Sequence, residues 1–163
     1  MDGPAPFTDK EIGFLQALVE EGVEFVVVGL AAAALQGAPA VTQDIDLWFR
    51  DLGDPRLRKA LRRVGATYIP PTEGHPPLLA GGGAGLFDVV THMHGLRSFG
   101  LESRRARRIL LGHVAIPVLP LDRIIASKRA TNRPKDRAIL PVLEDALRVI
   151  ESRRGKGRGR RRL

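Results

Sequence analysis

The sequence has no cysteine, few aromatic residues and no long apolar run. The lack of cysteine among 163 residues excludes disulfides and metal sites built on thiolates, and it makes a cytoplasmic location the natural expectation. The longest uninterrupted apolar stretch, residues 25–35, is too short to cross a bilayer and contains a glycine. Asp2, Pro4 and Pro6 stand where a signal peptide would need a basic region. We therefore expect a cytoplasmic protein without a membrane partner.

Acidic residues are also missing from the last eleven residues of the chain, which carry most of its net positive charge. The formal net charge is +8, from 26 Lys and Arg residues against 18 Asp and Glu residues. Residues 153–163 contain seven of these basic residues and no acid, which leaves residues 1–152 at +1. An apolar content of 44% suits one domain with a substantial core. We predict a single domain over residues 1–152 and a basic, disordered tail over residues 153–163 that would attract RNA.

The hydrophobic pattern predicts an α+β or α/β domain, in which helices pack on a small mixed sheet. Residues 70–85 contain four prolines and three consecutive glycines, so most of this segment is predicted to be a loop. Pro141 should kink or split the last helix. The expected strands are residues 23–28, 44–49 and 86–91, with a hairpin over residues 109–118. A first helix is expected to end near residue 22, and the later helices include residues 30–35, 55–64, 121–130 and 134–152.

Two carboxylates on the second predicted strand are candidates for metal binding. Asp44 and Asp46 alternate with apolar residues, so both side chains point to one face and can reach one cation or a pair of cations. Two neighbouring carboxylates repel each other unless a cation lies between them. A solvent-facing strand edge would show the same spacing, so the doublet alone leaves both interpretations open.

A glycine turn precedes this doublet by fifteen residues. The first predicted strand ends at Gly29 and runs directly into a short Ala-rich helix. Glycine permits a sharp turn, and backbone N–H groups at such a turn can hold a phosphate group. The glycine turn and the carboxylate doublet together favour a site for a phosphorylated substrate and a cation.

The order of these motifs resembles the nucleotidyltransferase superfamily related to DNA polymerase beta. The matching features are Gly29 after the first strand, Thr42-x-Asp44-x-Asp46 on the second strand and Asp88 on the third. Residues 121–136 are similar to the lysine and Arg-Pro-x-Asp signature of small bacterial AbiEii-type toxins and minimal nucleotidyltransferases. The resemblance spans residues 23 to about 146. It implies transfer of a nucleoside monophosphate from an NTP such as ATP to a hydroxyl group, with two Mg²⁺ ions.

The resemblance also implies roles for particular residues. Asp44 and Asp46 would bridge the two metal ions, and Asp88 would be a third ligand and the general base. Lys128 would contact the phosphates of the leaving pyrophosphate, while Asp136 would contact the nucleotide or hold Lys128. The implied nucleotide-binding set is Gly29, Leu30, Thr42, Lys128 and Asp136.

One position departs from the superfamily pattern. Leu30 stands where the superfamily usually has glycine or serine after the first glycine. The alternative to an enzyme is therefore a non-catalytic protein of the same fold that binds RNA or a protein partner. For an enzyme, the acceptor could be a tRNA 3′ end or other RNA, a protein hydroxyl or an aminoglycoside, and an antitoxin could be a partner. His92 and His94 are interpreted as polar residues at a strand end, because no cysteine or further histidine lies nearby to complete a zinc site.

Overall fold

The computed structural model describes residues 7–159, and the structural statements below concern this part of the chain. The six helices are α1 (Asp9–Glu20), α2 (Gly29–Leu35), α3 (Pro55–Arg63), α4 (Phe99–Ser103), α5 (Leu121–Thr131) and α6 (Pro134–Gly159). The seven strands are β1 (Phe25–Val28), β2 (Ile45–Phe49), β3 (Thr67–Ile69), β4 (Leu78–Ala80), β5 (Phe87–Val90), β6 (Arg107–Leu111) and β7 (Val114–Val118).

Five of the strands form one mixed sheet in the order β5-β2-β1-β7-β6. The pairs β1–β2 and β6–β7 are antiparallel, whereas β1–β7 and β2–β5 are parallel. Strands β3 and β4 form a separate antiparallel pair. The α+β class expected from the sequence is thereby confirmed, with the sheet mixed as predicted.

The core lies around the central strand β1, where all four residues are buried. A strand in the middle of a sheet that is covered on both faces has no exposed side, and this explains its continuous apolar sequence. Phe14 of α1 is fully buried and packs edge-to-face on Phe87 of β5, with ring centroids 4.9 Å apart. No helix within residues 7–159 combines the length and the apolar character needed to cross a membrane.

The C-terminal helices follow the sequence prediction at their start but not at their end. Asn132 adopts a left-handed conformation (φ 51°) after α5, and Pro134 begins α6. Pro141 does not divide α6, which runs on as one helix. Residues 153–159, expected to belong to a disordered tail, continue this helix. Residues 160–163 of the expected tail lie outside the described residues, as do Asp2, Pro4 and Pro6 of the N-terminus.

The loop prediction for residues 70–85 is correct only in part. Strand β4 pairs with β3, and a short 3₁₀-helix occupies Gly82–Ala84. The glycines are packed between α1 and the turn that follows α3: a Cβ atom on Gly83 would lie 2.6 Å from the backbone oxygen of Lys10, and one on Gly82 would lie 1.8 Å from that of Val64. This close backbone approach, which local sequence patterns do not reveal, explains why the glycines stand there.

Candidate functional site

The predicted aspartates come together at the end of two neighbouring strands. Asp46 of β2 and Asp88 of β5 are directly paired residues in the parallel register. Ile45 and Leu47, on either side of Asp46, are fully buried and fix the strand in the core. Asp44 precedes β2 and is exposed. The three aspartates line one cavity of about 520 Å³, the carboxylate cavity.

The carboxylate cavity gathers nearly all of the residues that the sequence singled out. Seven of the eight predicted site residues line it, and the eighth, Gly29, lines the adjoining cavity. Sequence reasoning did not single out Arg133 and Lys135, which also line the carboxylate cavity. The Arg-Pro-x-Asp signature contained both of them and was the signal that could have identified them. The seven predicted residues are Leu30, Thr42, Asp44, Asp46, Asp88, Lys128 and Asp136.

Gly29 determines where the Asp46 carboxylate lies. In the β1–β2 pair, Val28 is the register partner of Asp46, and Gly29 follows with φ at +68°. A Cβ atom on Gly29 would lie 2.3 Å from Oδ2 of Asp46. Any larger residue would therefore displace this carboxylate, and its backbone conformation would be strained as well. The glycine thus makes room for Asp46, in addition to forming the predicted turn.

Thr42 orders the chain at the start of the doublet. The Asp44 backbone N–H donates to Oγ1 of Thr42 at 3.3 Å, and the Thr42 hydroxyl donates to the Asp44 backbone oxygen at 3.1 Å. Such a local turn fixes the backbone that carries the exposed carboxylate of Asp44. Thr42 thus acts on the doublet through the backbone of Asp44.

The opposite wall of the carboxylate cavity is cationic and is held by a buried carboxylate. Asp136 is 0% exposed and accepts hydrogen bonds from Arg133 Nε at 2.8 Å and from the Arg133 backbone N–H at 3.1 Å. Lys128 Nζ lies 3.4 Å from the other oxygen of Asp136. Hydrogen bonds from Arg133, with a smaller contribution from Lys128, lower the pKa of Asp136 to about 2. Asp136 therefore positions two cations that face the aspartates.

The electrostatics of the aspartates favour a bound cation. Burial raises the pKa of Asp46 to about 6, and the neighbouring Asp88 adds to this effect while Lys128 opposes it. Burial and the charge of Asp44 also raise the pKa of Asp88. Burial and like charge both disfavour the ionised carboxylates, and a bound divalent cation would offset both effects.

The donor set fits Mg²⁺ better than a metal held wholly by protein. Among the His, Cys, Asp and Glu side chains of residues 7–159, no three converge as a ready-made ligand set. Mg²⁺ typically binds through one or two carboxylates and keeps waters or substrate phosphates as its other ligands. Asp46 and Asp88, paired on adjacent strands beside a cationic wall, supply carboxylate oxygens of this kind.

A second cavity adjoins the first and shares three of its residues. It measures about 450 Å³ and is called the histidine cavity, because His92 and His94 line it with their rings 4.7 Å apart and edge-to-face. Asp46, Lys128 and Arg133 line both cavities. The two histidines thus lie beside the carboxylates in an adjoining cavity and do not line the carboxylate cavity itself.

Asp136→Asn is expected to destabilise the protein, and the effect should depend on pH. The pKa of Asp136 is about 2 in the folded protein and 3.8 for an ordinary aspartate in the unfolded chain. Its negative charge therefore stabilises the fold above pH 3.8, and this contribution is lost as the pH falls towards 2. We expect the variant to lose about 2 kcal/mol of unfolding free energy at pH 7 and progressively less below pH 4. Urea denaturation at several pH values measures this difference.

Asp145→Asn is the matched control for this measurement. Asp145 also lies on α6 and pairs with Arg148, but both side chains are about 70% exposed. Exposed pairs contribute little, so the control should lose less than about 1 kcal/mol. A loss for Asp136→Asn that is no larger than the control's would contradict the positioning role of Asp136.

Comparison with solved protein structures identifies proteins of similar fold. Neither a protein-family profile nor a curated protein sequence matches the chain. Among solved structures, the antibiotic-resistance factor ANT(2'')-Ia in complex with adenylyl-2''-tobramycin is 17% identical, with 91% of this chain and 95% of that chain covered and a TM-score of 0.59. The solution structure of ANT(2'')-Ia is 13% identical, with 93% and 94% covered and a TM-score of 0.53.

A further similar structure is TM1012 of Thermotoga maritima, a protein assigned to the nucleotidyltransferases. It is 21% identical, with 78% of this chain and 86% of that chain covered and a TM-score of 0.54. The two ANT(2'')-Ia structures each match more than nine tenths of this chain, so that similarity includes both the sheet and the C-terminal helices. This chain therefore has the nucleotidyltransferase fold that the order of its sequence motifs predicts.

Proposed function

We propose that the protein is a Mg²⁺-dependent nucleotidyltransferase that moves a nucleoside monophosphate from an NTP to a hydroxyl acceptor. The observation that carries this proposal is the pairing of Asp46 with Asp88 on adjacent strands, facing Lys128 and Arg133 across one cavity. Carboxylates for cations and fixed positive charges for phosphates are the groups that phosphoryl transfer requires. The fold shared with nucleotidyltransferases supports the same conclusion.

The residues of the carboxylate cavity divide into metal-holding and phosphate-binding groups. Asp46 and Asp88 would hold Mg²⁺, with Asp44 as a further ligand at the exposed end of the doublet. When bound, Mg²⁺ neutralises the charge that develops on the phosphoryl oxygens. Lys128 and Arg133, held by Asp136, would bind the oxygens of the triphosphate. Leu30 also lines the carboxylate cavity, to which it contributes only backbone groups and an apolar side chain.

Asp88 is the proposed general base. The oxygen of the acceptor hydroxyl attacks the α-phosphorus, the bond from that phosphorus to pyrophosphate breaks, and the hydroxyl proton passes to a carboxylate oxygen of Asp88. Asp88 is proposed for this role because it lines the carboxylate cavity and is the register partner of Asp46, so one of its oxygens would lie beside the bound acceptor.

The two adjoining cavities offer separate places for two substrates. The carboxylate cavity, with Lys128, Arg133 and Lys135, suits the triphosphate of an NTP. The histidine cavity, which lacks Lys135 and is lined by His92 and His94, would receive the acceptor. Both cavities share Asp46 and Lys128, so the acceptor hydroxyl and the α-phosphorus would meet between them.

Transfer of label from an α-labelled NTP tests the proposal directly. The purified protein is incubated with Mg²⁺, each of the labelled NTPs and a panel of RNA, protein and small hydroxyl acceptors. We expect label on one acceptor class, and we expect Asp88→Asn to reduce the rate at least about 100-fold because it removes both a ligand and the base. Asp145→Asn, an exposed carboxylate change on α6, should leave the rate unchanged.

The outcomes separate an active enzyme from a non-catalytic protein of the same fold. Absence of both label transfer and Mg²⁺-dependent NTP binding would favour the non-catalytic alternative that Leu30 suggests. Transfer that survives Asp88→Asn would keep the enzyme class but reject the assigned site. The AbiEii-like subgroup, a toxin role and an antitoxin partner remain predictions that rest on the motif resemblance alone.

A further inference from the structure

Two basic runs that are far apart in the sequence meet in the folded protein. Residues 104–108 contain four arginines, and residues 153–157 contain two arginines and a lysine, with no acid in either run. Arg105 and Arg107 from the first run and Arg154 from the second line the same cavity of about 470 Å³. We call this cavity the β6–α6 groove. It is separate from the carboxylate and histidine cavities, with which it shares no residue.

The fold gives the β6–α6 groove one wall on a strand and one on a helix. Strand β6 is an edge strand of the sheet, and its Arg107 is exposed beside the neighbouring Arg105. The second wall is the C-terminal half of α6, which also contributes Leu147 and Ile150. These two apolar residues are half-buried against the core, so part of the groove's lining is apolar.

Acidic residues offset only part of this charge. Asp122 and Glu151 also line the groove. Asp122 pairs with Arg105 at 3.6 Å, but the two side chains are 45% and 57% exposed, so the pair is weak and can exchange for another anion. Three arginines against two acids leave the lining positive, and the rest of the two runs adds only positive charge.

We propose that the β6–α6 groove binds the phosphodiester backbone of a nucleic acid. A regular row of phosphates matches a groove with arginines on both walls, and arginine presents a planar group of donors that suits phosphate oxygens. The apolar lining from Leu147 and Ile150 can contact the sugars or bases of a bound strand. RNA and DNA share this backbone chemistry, and the experiment below distinguishes them.

The distance along α6 between the β6–α6 groove and the candidate active site determines how long a nucleic-acid strand must be to reach both. Arg154 in the groove and Lys135 in the carboxylate cavity lie on the same helix, nineteen residues apart. At about 1.5 Å per residue this is about 29 Å. A stacked strand with a rise of about 3.4 Å per nucleotide covers this distance in about nine nucleotides. A longer strand could therefore occupy the groove with one end at the aspartates.

Salt-dependent binding of labelled oligonucleotides tests the groove. The full chain, without NTP or Mg²⁺, is titrated with single-stranded RNA and DNA of about 20 nucleotides while fluorescence anisotropy is recorded across a salt series. The test variant carries Arg105→Gln, Arg107→Gln and Arg154→Gln. Its matched control carries Arg58→Gln, Lys59→Gln and Arg62→Gln, which remove the same charge from the exposed face of α3. Circular dichroism melts establish that both variants are folded.

We expect the groove variant to bind at least about 10-fold more weakly than the wild type at about 0.1 M salt. Its slope of log affinity against log salt should be smaller by about 2, because three phosphate contacts at about 0.7 each are lost. The control should keep nearly the wild-type affinity. The stronger of the RNA and DNA arms identifies the nucleic acid.

Two results would overturn the proposal. Equal losses in the groove variant and the control would mean that net charge alone governs binding. Equal competition by polyglutamate and by the oligonucleotide, at the same concentration of charges, would mean that the groove recognises any polyanion. Because the assay contains neither NTP nor Mg²⁺, it succeeds or fails independently of the proposed transfer reaction.

Discussion

Asp46→Asn should abolish nucleotidyl transfer and, at the same time, stabilise the metal-free protein at neutral pH. The loss of activity follows because Asp46 lines both cavities and is the register partner of Asp88. Removing one metal-holding carboxylate should lower the transfer rate at least about 1,000-fold. The gain in stability follows because burial, and then the charge of Asp88, disfavour the ionised carboxylate in the apo protein.

The pH dependence of this gain has a definite sign. The pKa of Asp46 is about 6 in the folded protein and 3.8 for an ordinary aspartate in the unfolded chain. Between pH 3.8 and pH 6 the folded protein therefore binds more protons than the unfolded chain. Stability therefore falls as pH rises from about 4 to about 6. We expect this to cost about 2 kcal/mol at pH 7, after allowing for the partial exposure of Asp46. Asparagine does not ionise, so the variant avoids this cost.

Urea denaturation of the wild type and the variant in EDTA measures the effect. The variant should be more stable by about 2 kcal/mol at pH 7, and the two curves should converge below about pH 4. Added Mg²⁺ should stabilise the wild type and leave the variant almost unchanged, since a ligand stabilises only the state that binds it. Asp145→Asn serves as the exposed control. A variant that is less stable than the wild type at pH 7 in EDTA would show that Asp46 has a structural role.

The aspartate doublet could be predicted from the sequence because its signal is local. Alternation with Ile45 and Leu47 places Asp44 and Asp46 on one face of a strand, and the structure buries both apolar residues completely. The pairing of Asp46 with Asp88 could not be derived in the same way. It depends on the parallel register of β2 and β5, whose paired aspartates are 42 residues apart, and no local pattern specifies that register.

Helix α4 shows a second limit of sequence reasoning. Residues 99–103 are too few and too mixed to indicate a helix, since a single turn is unstable on its own. Tertiary contacts hold it: Glu102 is 1% exposed and accepts hydrogen bonds from Arg123 Nε at 3.0 Å and from the Arg97 backbone N–H at 3.1 Å. Long-range packing also brings together the two basic runs that line the β6–α6 groove.

Gly82→Ala is expected to cause a large loss of stability. Gly82 has φ at +51°, and a Cβ atom there would lie 1.8 Å from the backbone oxygen of Val64 and 3.0 Å from the carbonyl carbon of Gly65. Both contacts are with backbone, which cannot rotate away as a side chain could. The chain after α3 would have to move, and α3 itself packs on α1 and carries the buried residues Leu57 and Leu61. We expect a loss of at least about 3 kcal/mol of unfolding free energy.

The same glycine-rich segment contains the control that distinguishes this clash from a general cost of replacing glycine. Gly85 lies three residues further on, has φ at −65° and has open space where a Cβ atom would stand. Gly85→Ala should be neutral or slightly stabilising, because alanine reduces the freedom of the unfolded chain. Thermal melts should show Gly82→Ala unfolding about 10 °C below the wild type, whereas Gly85→Ala should unfold within about 2 °C of it. If both variants melt like the wild type, the segment does not pack against α3 in solution, and the clash with Val64 would be refuted.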